Sequence, residues 1–455
     1  MLNPDYNIAL FGHAKHGKST LAGRLLVEYG MIGEKRLIDL QDKVDQIGSK
    51  DFNKYNMIFL ESKSQTFSKG SGLPDDPSRT AFPERGNIKL AEDKMITLID
   101  TPGYSRYIDN IIYGAYLADA AILVIESSAG IEEGTIIIKR ILESFGVPII
   151  AILVTKIDVV GYSELRYDEI LEEIDKLLDL KNFKLAQNIP IIPVSAISGE
   201  GIKKFDFIKW YNQKPSLMDV LEGMKYVSKS NPKAPVRFTV EGKKEIFSPP
   251  GVGLVFVGIL ESGSLSKKNK LVIEPESNNN KEDITIEIKS IKHAKTVSNL
   301  KEFEAVEVVE SRAILSIAVT GIDLPRANKI FRRGGVLGLK ENKPSVANAI
   351  SAEVMFFEPE SVYQGKEYIL YTNCSYSLAK ITRTDATNSY QIQYDFKKKI
   401  VPVYISSKND TINVVIEMLH PVCIESDLIF NRLTKFVLKE QNKIVACGRC
   451  IKILS

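Results

Sequence analysis

Eight consecutive residues, Gly12-His13-Ala14-Lys15-His16-Gly17-Lys18-Ser19, constrain this chain more than any other stretch. They match the pattern G-x-x-x-x-G-K-[ST], and the flanking sequence fits it. Residues 6–11 are an apolar run that reads as a short buried strand. Residues 19–29 carry Leu21, Leu25 and Leu26 on one helical stripe. A glycine-rich turn between strand and helix aims successive backbone N–H groups at one concavity. The helix N-terminus adds partial positive charge, so the turn suits phosphate. Lys18 is expected to reach the β- and γ-phosphates, and the Ser19 hydroxyl to sit on Mg²⁺.

Two later strand ends carry matching chemistry. The run 95–99 leads into Asp100-Thr101-Pro102-Gly103. An Asp at the C-terminal end of a strand beside a phosphate loop is placed to hold Mg²⁺, directly or through water. Gly103 can offer its backbone N–H to a γ-phosphate, because no Cβ blocks the approach. The run 148–154 leads into Thr155-Lys156-Ile157-Asp158. A carboxylate at Asp158 can accept two hydrogen bonds from the N1–H and 2-amino group of guanine, a donor pair that adenine lacks. The Lys156 stem can lie under the base. After the strand 189–194, Ser195-Ala196 offers a backbone N–H to the guanine O6. Strands at 120–125 and 148–154, with an amphipathic helix over 131–145 between them, predict an α/β domain with a largely parallel sheet. Ligands of such sheets bind at the C-terminal strand ends. The polar stretch 33–79 is where a mobile switch would lie, with a helix over 39–47 and a flexible loop over 62–79.

A length of 455 residues suggests about three domains. Apolar β-rich runs at 236–240, 253–260, 270–273, 284–291 and 313–319, closed by 325–339, predict an antiparallel barrel. After a linker at 343–347, runs at 350–357, 366–372, 377–382, 400–405, 411–418 and 444–453 predict another. A net charge of +3 gives no global sign of nucleic-acid binding. The longest apolar run, 147–154, is too short to span a bilayer. Four cysteines do not make a disulfide scaffold, and the first strand begins without a signal peptide. A cytoplasmic protein with no membrane partner is expected.

The chain resembles the translational GTPases of the elongation factor one-alpha and Tu family, nearest the archaeal and eukaryotic branch. That family writes its phosphate loop G-H-V-D-H-G-K-[ST]. Leu21-Ala22-Gly23-Arg24-Leu25-Leu26, Trp210-Tyr211-Asn212 and Pro215-Ser216-Leu217 are similar to it as well. So are Pro235-Val236-Arg237-Phe238, Gly251-Val252-Gly253 and Gly258-Ile259-Leu260-Glu261-Ser262-Gly263, in its second-domain barrel. Weaker similarity continues to the C-terminus. The expected fold is an α/β P-loop GTPase domain over 1–223, then two antiparallel β-barrels over 232–341 and 346–455. The resemblance implies GTP or GDP with Mg²⁺. The nucleotide would be bound by Gly12, His13, Ala14, Lys15, His16, Gly17, Lys18, Ser19, Thr20, Asp100, Gly103, Thr155, Lys156, Asp158, Ser195 and Ala196. His13 and His16 match the family without needing a metal role. The implied partners are the ribosome and a tRNA or tRNA-mimicking protein factor, with no DNA, and the chain is expected to be a monomer.

The departures from the family pattern are specific. The family's second switch reads D-x-P-G-H, and its His orients the attacking water; Tyr104 stands there. A phenol ordinarily titrates near pH 10, which makes it a poor base at neutral pH. Tyr104 and Lys18 are therefore the candidate catalytic residues of a slow GTPase. The family's first switch, R-G-x-T, supplies a Thr to Mg²⁺. Arg85-Gly86-Asn87-Ile88 lacks that Thr, whereas Thr80 is better spaced, so Ser19, Thr80 and Asp100 are the expected metal set. Lys15 replaces an Asp that holds a monovalent cation; its ammonium either supplies that charge itself or points into solvent. Thr155 replaces the Asn that braces the phosphate loop, so reduced nucleotide affinity is expected while guanine selectivity through Asp158 remains. The tRNA-binding pattern is eroded at Ile259, at Ala294 and Lys295 beside His293, at Glu358-Pro359, at Cys374-Ser375-Tyr376 and across 435–440, where Lys replaces Arg and loses its bidentate fork. Cys447 and Cys450 form a lone C-x-x-C without a second ligand pair. The expected function is a ribosome-acting GTP-binding factor with weak hydrolysis. The alternatives are an ordinary aminoacyl-tRNA-delivering elongation factor and a non-hydrolysing rescue or hibernation factor. A sulfate-activation GTPase subunit would carry a different phosphate-loop signature.

Overall fold

The chain's most apolar runs become the inner strands of a six-stranded sheet. Its strands are β1 (Pro4–Phe11), β2 (Glu84–Ala91), β3 (Lys94–Asp100), β4 (Ala120–Glu126), β5 (Ile149–Thr155) and β6 (Ile191–Pro193), in the order β2-β3-β1-β4-β5-β6. All neighbours are parallel except the β2–β3 edge pair. β4 and β5 are buried along almost their whole length, as strands covered on both faces must be. The flanking helices are α1 (Lys18–Glu28), α2 (Glu34–Ile47), α3 (Ile108–Leu117), α4 (Glu133–Phe145), α5 (Glu164–Leu178) and α6 (Leu217–Gly223). Ser216 starts α6 with a reciprocal capping box to Asp219.

This computed structural model describes residues 4–49, 51–60, 80–92, 94–178, 189–211, 214–224, 231–241, 246–275, 284–293, 306–310, 312–330, 334–357, 363–373, 375–384, 401–402 and 411–455. The loop expected over 62–79 lies outside them, as do Ala294, Lys295, Glu358, Pro359 and Cys374. The chain divides into two compact units, one spanning Met1–Val227 and the other containing Ser228–Ala294 and Phe303–Ser455.

The second unit is built from two antiparallel barrels. In the first, Ala313–Thr320 pairs with Thr285–His293 on one side and with Leu254–Ser262 on the other, which closes the ring. The expected closing segment is a helix, Leu324–Ile330, and a strand, Val336–Leu339. The second barrel is closed in the order Val346–Phe356, Thr411–Cys423, Ser375–Thr384, Glu367–Thr372, Lys435–Glu440 and Lys443–Ile453. Lys435–Glu440 reads in the sequence only as a basic motif, yet it is a full strand. Lys439 is buried there, with its ammonium 5.4 Å from the centre of the Tyr371 ring. Cys447 and Cys450 are both buried and unbridged in the last strand, as barrel residues. No helix among the described residues is long and apolar enough to cross a membrane.

Candidate functional site

Sheet register assembles the site. Leu10 in β1 lies opposite Asp100 in β3, so that carboxylate emerges beside the turn that begins two residues after Leu10. Two glycines shape the turn. A Cβ on Gly12 would overlap the Val124 carbonyl, and Gly17 caps α1 in the left-handed region, with φ at 88°. Inside the turn the Lys18 ammonium donates to the carbonyls of Gly12 and His13, at 2.8 Å each. Burial pulls the Lys18 pKa down to about 8, against the opposing pull of Asp100.

Three hydroxyl and carboxylate groups meet beside it. Ser19 Oγ donates to Asp100 Oδ2 at 2.6 Å. The Thr80 hydroxyl lies 3.2 Å from the same oxygen and 3.1 Å from Ser19 Oγ. The structure thus brings together the three residues expected to hold a metal, although 61 positions separate Ser19 from Thr80. Arg85-Gly86-Asn87-Ile88 is instead embedded in β2, where Asn87 Oδ1 accepts from the Thr97 hydroxyl. An all-oxygen set suits a hard cation such as Mg²⁺.

One cleft is lined by Gly17, Lys18, Ser19, Thr20, Thr80, Gly103, Tyr104 and Lys156. A Cβ on Gly103 would come within 2.5 Å of the Lys18 ammonium and 2.7 Å of the Ala14 nitrogen, so the chain there has to be glycine. Tyr104 is half-buried and opens the short helix Ser105–Tyr107, with the Arg106 guanidinium 5.5 Å from the centre of its ring. The cleft has a wall that the sequence did not reveal: Asp51, Asn53, Asn56 and Leu60. Asn53 Nδ2 donates to the Thr20 hydroxyl at 3.1 Å, and Gly23 of α1 lies so close to the Tyr55 carbonyl that a Cβ would overlap it. Lys15 is exposed in the left-handed region, with φ at 66°, and its ammonium is 3.7 Å from the Asp51 carboxylate.

The base side is assembled at the ends of β5 and β6. The Thr155 hydroxyl donates to the His16 carbonyl at 2.7 Å, tying β5 to the phosphate loop. Lys156 is held by an ion pair with Glu126 at 2.8 Å, and Asp158 is half-exposed just beyond it. Ser195 also departs from expectation. It is buried, and its N–H is already donated to the Glu200 carbonyl at 2.9 Å, so Ala196 is the residue of the pair left to face a base. Arg24 supports this turn from α1, donating to the carbonyls of Ala196 and Ile197. His13 and His16 add only backbone to the turn; both rings face Glu132, and neither lines the cleft.

The chain is similar to known proteins along its length. The sequence profile of the elongation factor Tu GTP binding domain matches residues 3–227. Elongation factor 1-alpha of Pyrobaculum aerophilum is 29% identical over 460 residues, covering 99% of this chain and 95% of that protein. Elongation factor 1-alpha of Methanothrix thermoacetophila is 28% identical, covering 98% and 97%. Among solved structures, the GTP-bound S. cerevisiae Ski7 GTPase-like domain superposes with a TM-score of 0.75 at 18% identity, covering 99% and 97%. Elongation factor SelB of Methanococcus maripaludis, with a GTP analogue, gives 0.65 at 18%, covering 100% of this chain and 80% of that one. The chain thus carries an elongation factor Tu GTP-binding domain over residues 3–227 and is similar to elongation factor 1-alpha over 99% of its length.

Proposed function

We propose that this protein is a GTP-binding factor that acts on the ribosome in the cytoplasm and hydrolyses GTP slowly. The observation that carries the reading is Tyr104, which lines the cleft after Asp100-Thr101-Pro102-Gly103, where the family places a water-orienting His. In this reading the backbone of Gly12–Thr20 and the Lys18 ammonium bind the phosphates, and Ser19, Thr80 and Asp100 hold Mg²⁺. The ion would supply charge neutralisation between the β- and γ-phosphates. Asp158 selects guanine, Ala196 meets its O6, and the Lys156 stem supports the base. The Tyr104 hydroxyl can donate a hydrogen bond near the γ-phosphate but cannot take a proton from water at neutral pH as an imidazole can. Losing such a group slows a reaction by about 10²–10⁴-fold.

Two features of the first barrel favour a carried partner other than an aminoacyl-tRNA. Ile259, at the family's Arg position, is wholly buried in Leu254–Ser262, and His293 is buried too. Neither presents a polar group for a tRNA end, which suits a protein that mimics tRNA.

Single-turnover hydrolysis with and without ribosomes tests the reading. The Tyr104→His variant is expected to hydrolyse GTP about 10²-fold faster than the native chain when ribosomes are present. Equal rates would remove the role given to Tyr104 and return the protein to ordinary elongation-factor behaviour.

A further inference from the structure

Behind the phosphate loop, on the side away from the cleft, two imidazoles converge on one carboxylate oxygen. His13 Nδ1 lies 2.5 Å from Glu132 Oε2, and His16 Nε2 lies 2.6 Å from the same atom. The two rings sit edge to face, 5.4 Å apart at an angle of 76°. All three donor atoms lie within 4.8 Å of one another. His16 is 1% exposed, while His13 and Glu132 are about one-third exposed, so the cluster has a rigid floor and an open mouth.

We propose that His13, His16 and Glu132 form a site for a divalent transition metal of the Zn²⁺ type, with water as its fourth ligand. Imidazole nitrogens and one carboxylate oxygen are the donor set that Zn²⁺ prefers when one position stays open. Tetrahedral bonds of about 2.0–2.2 Å put neighbouring ligand atoms about 3.4 Å apart, so the carboxylate has to withdraw from each ring by about 1 Å and the two ring nitrogens, which lie within 4.8 Å, have to close to that separation. The partly exposed Glu132 side chain, just before α4, is the ligand with room to do so.

The surroundings of His16 fit either occupancy. Its Nδ1 faces the Val124 carbonyl and the Glu126 N–H, both at 3.3 Å. With Nε2 protonated toward Glu132, Nδ1 accepts from Glu126. With Nε2 on the metal, the ring proton sits on Nδ1 and is donated to Val124, and the contact from the Glu126 N–H is given up. A carbonyl partner on the far nitrogen is the usual orienting contact of a metal-bound His. Burial also pulls the His16 pKa down, keeping the ring neutral as a ligand must be.

The test is a titration of the full-length chain, stripped with a chelator, using Co²⁺ as a spectroscopic probe in excess Mg²⁺, followed by displacement with Zn²⁺. One equivalent should produce visible tetrahedral d–d bands without a sulfur charge-transfer band, and Zn²⁺ should abolish them. Glu132→Gln and His13→Gln should each weaken binding by about 10-fold or more, whereas a Cys447→Ser/Cys450→Ser double variant should bind as the native chain does. Absence of saturable bands, a sulfur charge-transfer band, or unchanged binding in folded Glu132→Gln would overturn the site. If a variant fails to fold, as melting curves would show, the native spectrum and stoichiometry still decide.

Discussion

The Thr155 hydroxyl donates to the His16 carbonyl across 2.7 Å, joining the strand that ends at the base-recognition turn to the loop that holds the phosphates. Both groups are buried. Thr155→Val keeps the shape and removes the donor, leaving a buried carbonyl without its partner, at a cost of about 1–3 kcal/mol. We expect GDP affinity to fall roughly tenfold, since 1.4 kcal/mol is one decade in Kd. Titration with a fluorescent GDP analogue would measure it; unchanged affinity would mean that the loop does not depend on this brace.

Gly103 faces a different constraint. A methyl group there would crowd the Ala14 nitrogen and the Gly12 carbonyl, both backbone atoms of the phosphate loop, as well as the Lys18 ammonium. The lysine tip can swing aside, but the loop backbone cannot do so without moving the phosphate site. Overpacking of this kind costs about 1–3 kcal/mol. Gly103→Ala should therefore weaken GDP and GTP together. A loss confined to GTP would show instead that the methyl group acts only against the γ-phosphate.

Much of this was legible in the sequence because it was written locally. Strand, glycine turn, Lys18 and Ser19 sit within fifteen residues, and Asp100 follows its own apolar run. Barrel strands announced themselves by apolar alternation. Long-range partners were not legible: Glu132 meets His16 across 116 positions, and Asn53 reaches Thr20 across 33 with no repeating pattern to mark either. Lys435–Glu440 was obscured because its charged residues read as a surface motif, while Lys439 is sheltered beside an aromatic ring. The spent N–H of Ser195 depends on the fold of the turn to Glu200, which residue types alone do not dictate.

The second unit contains one contact on which its stability should depend heavily. Arg237 Nε donates to Glu425 Oε1 at 2.6 Å, with Arg237 only 2% exposed. The same guanidinium donates to the carbonyls of Val236, Asn342 and Lys343, and Glu425 accepts from the Ser345 N–H and hydroxyl. Removing one charge strands the other in the interior, so Glu425→Ala should destabilise the chain by about 3–5 kcal/mol. Pairing Arg237→Met with Glu425→Leu should cost less than Glu425→Ala alone, because no charge is left buried. Urea denaturation of the native chain and the two variants would check the order; a double variant less stable than Glu425→Ala would show that the stranded charge is not what costs the stability.

His293 makes stability depend on acid. Burial in Thr285–His293 lowers its pKa from 6.5 to about 4. The folded state therefore keeps the ring neutral where the unfolded chain already takes up a proton. Its contribution is fully present above pH 6.5, erodes as pH falls, and is exhausted near pH 4, where the folded ring protonates as well. Between pH 6.5 and 5 the loss should amount to about 1.5 kcal/mol, approaching 1.36 kcal/mol per unit at the lower end. Carboxylates titrate mostly below that window, so the difference between the native chain and His293→Gln isolates the imidazole. Urea midpoints measured at pH 7, 6 and 5 should converge as pH falls, because the variant lacks the acid-driven loss. Parallel curves would mean that the ring is protonated equally in both states.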